Sequence, residues 1–145
     1  MRILLAVDES WASSEELEVM MGQLRPNGCE VRVLHVLQPI AISPPPQMAS
    51  DYAPELQEFG KRAKELLENI ERKLRAAGFK AESLVQKGDV RATILDEAEE
   101  WKADLIVLGS KGAGAARRFL LGSVADSVSR HAHCSVEIVR PTNHR

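Results

Sequence analysis

The chain has 145 residues, a length that fits one ordinary domain with a hydrophobic core of its own. Apolar residues make up 44% and charged residues 28%, and the net charge is −2, so no overall field favours DNA, RNA or an anionic membrane. No apolar run approaches the ~20 residues of a membrane span, and we expect a cytoplasmic protein that binds neither nucleic acid nor membrane.

Strands and helices alternate in the first half of the chain. The continuous apolar run at residues 3–7 predicts a strand covered on both faces. A helix with apolar residues at 17, 20, 21 and 24 follows, and a valine-rich strand spans 31–37. Residues 38–54 hold five of the seven prolines, which predicts a flexible loop rather than a helix or a central strand.

The second half continues the alternation. The predicted elements are an amphipathic helix that ends at Gly78, a weaker strand at 79–86, a helix around 94–101, a strand at 104–108, a helix at about 122–133 and a strand at 135–140, before a loose tail at 141–145. Five strands alternating with four helices predict one α/β domain, a three-layer α/β/α fold with a mainly parallel sheet and right-handed crossovers.

Ligands of such folds lie beyond the carboxyl ends of the strands, where the strand order reverses. If strands one and four are neighbours at that point, the polar turn that begins at Asp8 and the loop that begins at Gly109 face the same ligand. These are the two most polar strand ends in the chain, which strengthens the prediction of a binding site there.

The segment after the fourth strand predicts an anion cradle. Gly109 ends the strand, Gly112 permits a tight turn, and Gly122 begins the next helix. Backbone N–H groups reach an anion at glycines because no Cβ blocks the approach, and the first N–H groups of a helix are unpaired. Residues 105–125 include no acidic side chain, so we favour a polyphosphate ligand over simple turns at each glycine.

Two well-known phosphate motifs are absent from this segment. No Gly-Lys-Ser/Thr occurs, so it is not a Walker loop, and Lys111 comes before Gly112 rather than at a helix start. Gly112 and Gly114 supply only two of the three glycines of a dinucleotide fingerprint, with Arg117 at the third position. The Ser123 hydroxyl has two compatible roles, donation to phosphate and N-capping in a Ser123-x-x-Asp126 capping box.

The spacing Gly109-x-x-Gly112, nine residues, then Gly122-Ser123 resembles the ATP-binding signature of the universal stress protein family. The resemblance covers nearly the whole chain. Its further pieces, in order, are residues 3–10, Leu34-His35-Val36, Gly88-Asp89, residues 104–110 and residues 123–140. It implies a Rossmann-like fold whose sheet has the strand order 3-2-1-4-5. It also implies a dimeric protein that binds ATP, with Mg²⁺ or Mn²⁺ beside the triphosphate.

The resemblance also implies the residues of the nucleotide site. Asp8 would lie by the adenosine, Val36 would offer its backbone to adenine, and Gly109 would lie near the ribose. The implied nucleotide-binding set is Ala6, Val7, Asp8, Val36, Gly109, Ser110, Lys111, Gly112, Gly122, Ser123, Val124 and Ala125. We expect no catalytic residue and no all-protein metal site.

The implied function is that of a nucleotide-dependent regulatory or stress-response module. We expect at most slow ATP hydrolysis, because Asp8 and Glu9 belong to the adenosine side and no other base stands out. Members of the family dimerise through the last strand, which here contains Val136, Glu137 and Ile138. Glu137 departs from the apolar ending usual in the family, and it either pairs with a basic residue across the interface or blunts the strand edge.

Two other functions remain open. One is a dimeric interaction protein of the same family that binds no nucleotide. The other is a phosphoacceptor receiver domain, whose acidic pair and lysine are mimicked by Asp8-Glu9 and Lys111, although Asp89 is the one aspartate near the end of the third strand.

Three other residues have more than one interpretation. Trp11 is predicted to pack in the core rather than to form a wall of the nucleotide site. Cys29 and Cys134 lack a close spacing, so we predict two reduced, buried thiols, with one disulfide as the alternative.

Overall fold

The computed structural model describes residues 1–9, 11, 15–38, 49–110 and 122–140. Within these ranges five strands alternate with four helices. In chain order they are β1 (Arg2–Ala6), α1 (Glu15–Gln23), β2 (Glu30–Leu37), α2 (Ala49–Ala76), β3 (Lys80–Lys87), α3 (Val90–Trp101), β4 (Leu105–Gly109), α4 (Ser123–His131) and β5 (Ser135–Val139).

The five strands form one parallel sheet in the order β3-β2-β1-β4-β5. β1 lies at the centre, where Leu5 pairs with Val33 of β2 on one side and with Val107 of β4 on the other. Both the predicted α/β fold and the strand order that the family resemblance implied are confirmed.

Two apolar layers cover the sheet. One side packs Leu17 and Met20 of α1 and Ile70 of α2 against the sheet, and the other packs Ile94 of α3 and Val128 of α4. Side chains of β1 alternate between the two layers and are fully buried, as expected for a strand covered on both faces: Ile3 and Leu5 on the first side, Leu4 on the second.

Trp11 belongs to the first of these layers. It is 2% exposed and packs with the side chains of α1 and α2, so its predicted role in the core is confirmed. Both cysteines are free, so the disulfide alternative is wrong. Burial, with a contribution from the Asp104 charge, raises the pKa of the Cys134 thiol and keeps it protonated near neutral pH.

The prediction of a loop over residues 38–54 is wrong in its second part. Helix α2 begins at Ala49, and Pro54 is its sixth residue. A proline so close to a helix N-terminus removes a single N–H bond, to the carbonyl four residues earlier, and the remaining turns of a 28-residue helix outweigh that loss. Residues 39–48 and the predicted tail at 141–145 lie outside the described ranges.

A polar cluster on the α3 side ties β2, β3 and α3 together. The Arg32 guanidinium of β2 contacts Glu82 of β3 and Glu97 of α3, each at 2.7 Å, and lies 4.5 Å from the centre of the Trp101 ring. Gln86 Nε2 donates to the second Glu97 oxygen at 2.9 Å. Burial alone would lower the pKa of Arg32, but the hydrogen bonds and charges of Glu82 and Glu97 outweigh it and raise that pKa.

We predict that Glu97→Ala lowers the free energy of unfolding by about 2 kcal/mol, because Arg32 and Gln86 lose a buried partner. The Arg32 side chain is 24% exposed, so water offsets part of the larger loss expected at a fully buried pair. Urea unfolding followed by circular dichroism measures the change. Glu100→Ala, an exposed glutamate one turn further along α3, is the matched control, and equal effects of the two substitutions would contradict the prediction.

Candidate functional site

The candidate site lies at the carboxyl edge of the sheet, between β1 and β4. The last rung of their ladder pairs Leu5 with Val107, so Asp8 and Ser110 each follow that rung by three residues. Here the strand order reverses: the chain runs outward from β1 to β2 and β3, then crosses back to β4 on the other side of β1, so that α1 and α2 cover one face and α3 and α4 cover the other. Crevices at such reversals are where ligands of open α/β sheets bind.

A backbone hydrogen bond connects the end of β4 to the start of α4. The Gly122 amide donates to the Ser110 carbonyl at 2.7 Å, and the Ser110 amide donates to the Val139 carbonyl of β5 at 3.0 Å. Ser110 is 6% exposed. The structure therefore brings Gly109, Ser110 and the first turn of α4 together, whereas Lys111 and Gly112 of the predicted site lie outside the described residues.

Helix α4 begins without a side-chain cap. Its N-cap is Gly122, whose carbonyl accepts from the Asp126 amide at 2.9 Å. The predicted capping box is wrong, because Ser123 is the first helical residue rather than the N-cap. Among the described residues, no group accepts a hydrogen bond from the amides of Ser123, Val124 or Ala125, which are the unpaired donors of the first turn.

Helix α3 begins differently, although it packs on the same face of the sheet as α4. Its N-cap is Asp89, and a carboxylate oxygen of Asp89 accepts from the Ala92 amide at 3.0 Å. A negative side chain thus already occupies the positive end of α3, which makes it a poor anion site. Of these two helix starts, the one at Gly122 has its donors and its dipole open to an anion.

The receiver interpretation is contradicted by this topology. It requires an aspartate after β3 to lie beside Asp8, but β3 is the edge strand and is separated from β1 by β2. Two strand spacings amount to about 10 Å. Asp89, the aspartate in question, is occupied as the cap of α3.

The ends of β1 and β2 form the other wall of the crevice. The Val7 amide donates to the Leu34 carbonyl at 2.9 Å, and this is the last backbone bond between the two strands among the described residues. The next rung would run from the Val36 amide to the Val7 carbonyl and is not formed. That carbonyl is instead 2.9 Å from Nδ1 of His35, a buried side chain.

The remaining predicted residues of this wall lie at the end of β1. Ala6 and Val7 are nearly buried, at 9% and 6% exposure, and Asp8 is half-buried with its carbonyl accepting from the Trp11 amide at 3.1 Å. Val36 is half-buried at the neighbouring strand end. His35 is the residue whose part in this wall sequence reasoning missed; its signal was a polar side chain near the end of a buried valine-rich strand.

The described residues include neither a metal-binding cluster nor a membrane-spanning helix. No group of three or more His, Cys, Asp or Glu side chains among them is arranged to hold a metal ion. Nδ1 of His131 lies 2.8 Å from the Ser127 carbonyl. No described helix is long and apolar enough to cross a membrane.

The chain is similar in sequence to proteins of one family. The profile of the universal stress protein family matches residues 1–140. Universal stress protein YxiE of Bacillus subtilis (strain 168) is 30% identical over an alignment of 145 positions that covers 96% of this chain and 98% of that protein. The similarity therefore spans the whole described fold.

Solved structures have the same fold. The hypothetical protein MJ0577 is 28% identical to this chain. The two structures superpose with a TM-score of 0.81 over 99% of this chain and 97% of that one. The universal stress protein from Archaeoglobus fulgidus, solved in complex with dAMP, is 27% identical, with a TM-score of 0.69 and coverage of 96% and 97%. One protein with this fold thus holds an adenine nucleotide.

Proposed function

Because this chain belongs to the universal stress protein family, we propose that it binds an adenine nucleotide, ATP in particular, at the carboxyl edge between β1 and β4. The observation that carries the proposal is the uncapped start of α4, hydrogen-bonded to the end of β4 at the point where the strand order reverses. The dAMP complex of the Archaeoglobus fulgidus protein supports the choice of an adenine nucleotide.

In this proposal the base and the sugar bind on the β1–β2 side of the crevice. The Val36 backbone faces β1 beyond the last rung, so its amide and carbonyl are oriented toward the edge of a base. Ala6 and Val7 supply an apolar floor, and Asp8 accepts hydrogen bonds from the adenosine. The ribose lies next to Gly109, which has no side chain to block it.

The phosphates belong to the α4 side. The amides of Ser123, Val124 and Ala125 and the positive end of the helix dipole favour negative charge, and the Ser123 hydroxyl, free of a capping role, donates to a phosphate oxygen. Ser110, Lys111, Gly112 and Gly122 complete the proposed set. Mg²⁺ or Mn²⁺ would neutralise part of the triphosphate charge.

The protein is proposed to hold ATP rather than to turn it over. In this proposal the phosphates meet backbone amides, the Ser123 hydroxyl and the Lys111 ammonium, which stabilise an anion but do not act as a base toward a water molecule. The carboxylates of Asp8 and Glu9 belong to the adenosine side. We therefore propose a cytoplasmic regulatory or stress-response module whose nucleotide sets its conformation or its partners, with at most slow hydrolysis.

Isothermal titration with ATP and Mg²⁺ tests the proposal, and a matched pair of substitutions at Gly122 sharpens it. We predict that Gly122→Asp weakens ATP binding about tenfold, because its carboxylate occupies the positive end of α4 and repels phosphate. Gly122→Asn is the control, since it caps the helix equally well and carries no charge. Both side chains fit the extended backbone of residue 122 (φ −60°, ψ 150°).

Two outcomes would contradict the proposal. Absence of heat with the unaltered protein at tens of micromolar would leave a dimeric interaction protein without nucleotide as the function. Equal affinities of the Asp and Asn variants for ATP would remove the start of α4 from the site. Mass spectrometry of the purified protein for retained ATP or AMP gives an independent check of the ligand.

We also propose that two copies pair through β5. β5 is an edge strand, bonded to β4 on one side, and Val136, Glu137 and Ile138 are only partly buried by the described residues of this chain. A charge in a short edge strand needs either water or a partner. Glu137 is proposed to pair with a basic residue of the second copy, with Arg140 as the candidate.

We predict that Glu137→Ala shifts the monomer–dimer equilibrium toward the monomer, since it removes one partner of a charge pair at the interface. Sedimentation equilibrium measures the shift. Glu30→Ala, at an exposed glutamate at the start of β2, which is separated from β5 by β1 and β4, serves as the control. An equilibrium unchanged by the loss of Glu137 would remove its proposed role.

A further inference from the structure

His35 is buried in the valine-rich strand β2, and its hydrogen bond sets where the sheet opens. Its ring is 8% exposed, and Nδ1 lies 2.9 Å from the Val7 carbonyl. Because a carbonyl oxygen has no proton to give, Nδ1 must carry the proton and donate it. Side chains alternate along β2, so His35 lies on the side of Val33, the side covered by α1 and α2.

This hydrogen bond replaces a rung of the β1–β2 ladder. In a parallel pair, alternate residues of a strand bond to the same neighbour. The Leu34 carbonyl accepts from the Val7 amide, so the Val36 amide faces β1 as well and has the Val7 carbonyl as its regular partner. That bond is missing among the described residues, although β2 remains paired with β3 as far as Leu37.

The direction of the His35 bond accounts for the missing rung. A side chain stands away from the plane of the sheet, whereas ladder bonds lie within it. Donation from the His35 ring therefore turns the Val7 carbonyl toward the α1–α2 face and away from the Val36 amide. Among the described residues, the Val36 amide is left without an acceptor at the edge where the strand order reverses.

We propose that His35 is a positioning residue for nucleobase recognition: by holding the Val7 carbonyl, it keeps the Val36 amide open to the edge of a base. This inference rests on the proposed nucleotide site and adds a residue that acts through the backbone rather than by touching the ligand. A backbone amide without a partner in the chain finds its acceptor in water or in a ligand, and adenine offers ring nitrogens as acceptors.

Hydrogen exchange of the ligand-free protein, followed residue by residue with NMR, tests the inference directly. In the unaltered protein the Val36 amide is expected to exchange faster than its neighbours in β2. In His35→Leu it is expected to exchange more slowly, because the Val7 carbonyl returns to the ladder. His35→Asn, whose amide nitrogen takes the position of Nδ1, is expected to restore fast exchange.

This readout separates positioning from simple loss of stability. Destabilisation makes amides exchange faster, whereas the proposed change makes one amide exchange more slowly. Val33→Ala is the matched control, since it removes buried volume from the same face of the same strand and leaves the Val7 carbonyl untouched. A Val36 amide that is already protected in the unaltered protein, or that exchanges no more slowly in His35→Leu, overturns the inference.

Binding measurements complete the test. We expect His35→Leu to bind ATP about tenfold more weakly, the effect of one lost hydrogen bond, while its affinity for inorganic tripolyphosphate is unchanged. His35→Asn and Val33→Ala should bind both ligands as the unaltered protein does. ATP binding by His35→Leu at full affinity, or an equal loss for both ligands, overturns the inference but leaves the proposed function standing. If the unaltered protein binds neither ligand, the proposed function fails and the role of His35 in nucleobase recognition fails with it, while the exchange of Val36 still shows whether His35 keeps that amide open.

Discussion

The pairing of β1 with β2 on one side and β4 on the other is the constraint on which the rest of the structure depends. It requires a central strand that is apolar on both faces, and Ile3, Leu4 and Leu5 are each fully buried. It also forces the chain to leave β1 toward one face and to return along β4 from the other. The two helix layers diverge at this strand, and the crevice between them follows from the topology.

Backbone hydrogen bonding differs between the two ends of the sheet. At the amino end, backbone bonds continue past the strands: the Glu30 amide donates to the Met1 carbonyl at 2.9 Å, and the Asp104 amide donates to the Arg2 carbonyl at 2.8 Å. At the carboxyl end the β1–β2 ladder stops one rung early and α4 begins without a side-chain cap. Among the described residues, the unpaired backbone groups are therefore found at the carboxyl edge, which is the edge of the proposed ligand site.

The fold was largely predictable because its signals are local. Apolar runs and helical periodicity identified every strand and helix, and the glycine spacing located the crevice through the family resemblance. The errors arose where a local sequence rule was overridden by a neighbouring residue or by the rest of a helix. At Pro54 the length of the helix prevailed over a local proline rule, and at Gly122 the backbone rather than the Ser123 hydroxyl provides the cap. The Arg32 cluster and the His35 bond depend on strand register, which no single stretch of sequence contains.

The proposed site consists mainly of backbone groups, so its side chains act by placing those groups. Gly122 has no side chain that could accept hydrogen bonds from the amides of the first turn of α4. At the start of α3, by contrast, the Asp89 side chain accepts such a bond. His35 acts through its side chain, because its ring donates to the Val7 carbonyl, which would otherwise accept from the Val36 amide and extend the β1–β2 ladder. Backbone donors placed in this way are fixed before a ligand arrives, which lowers the entropy cost of binding. They supply no proton to a reaction, which fits the proposal that the protein holds a nucleotide rather than turning it over.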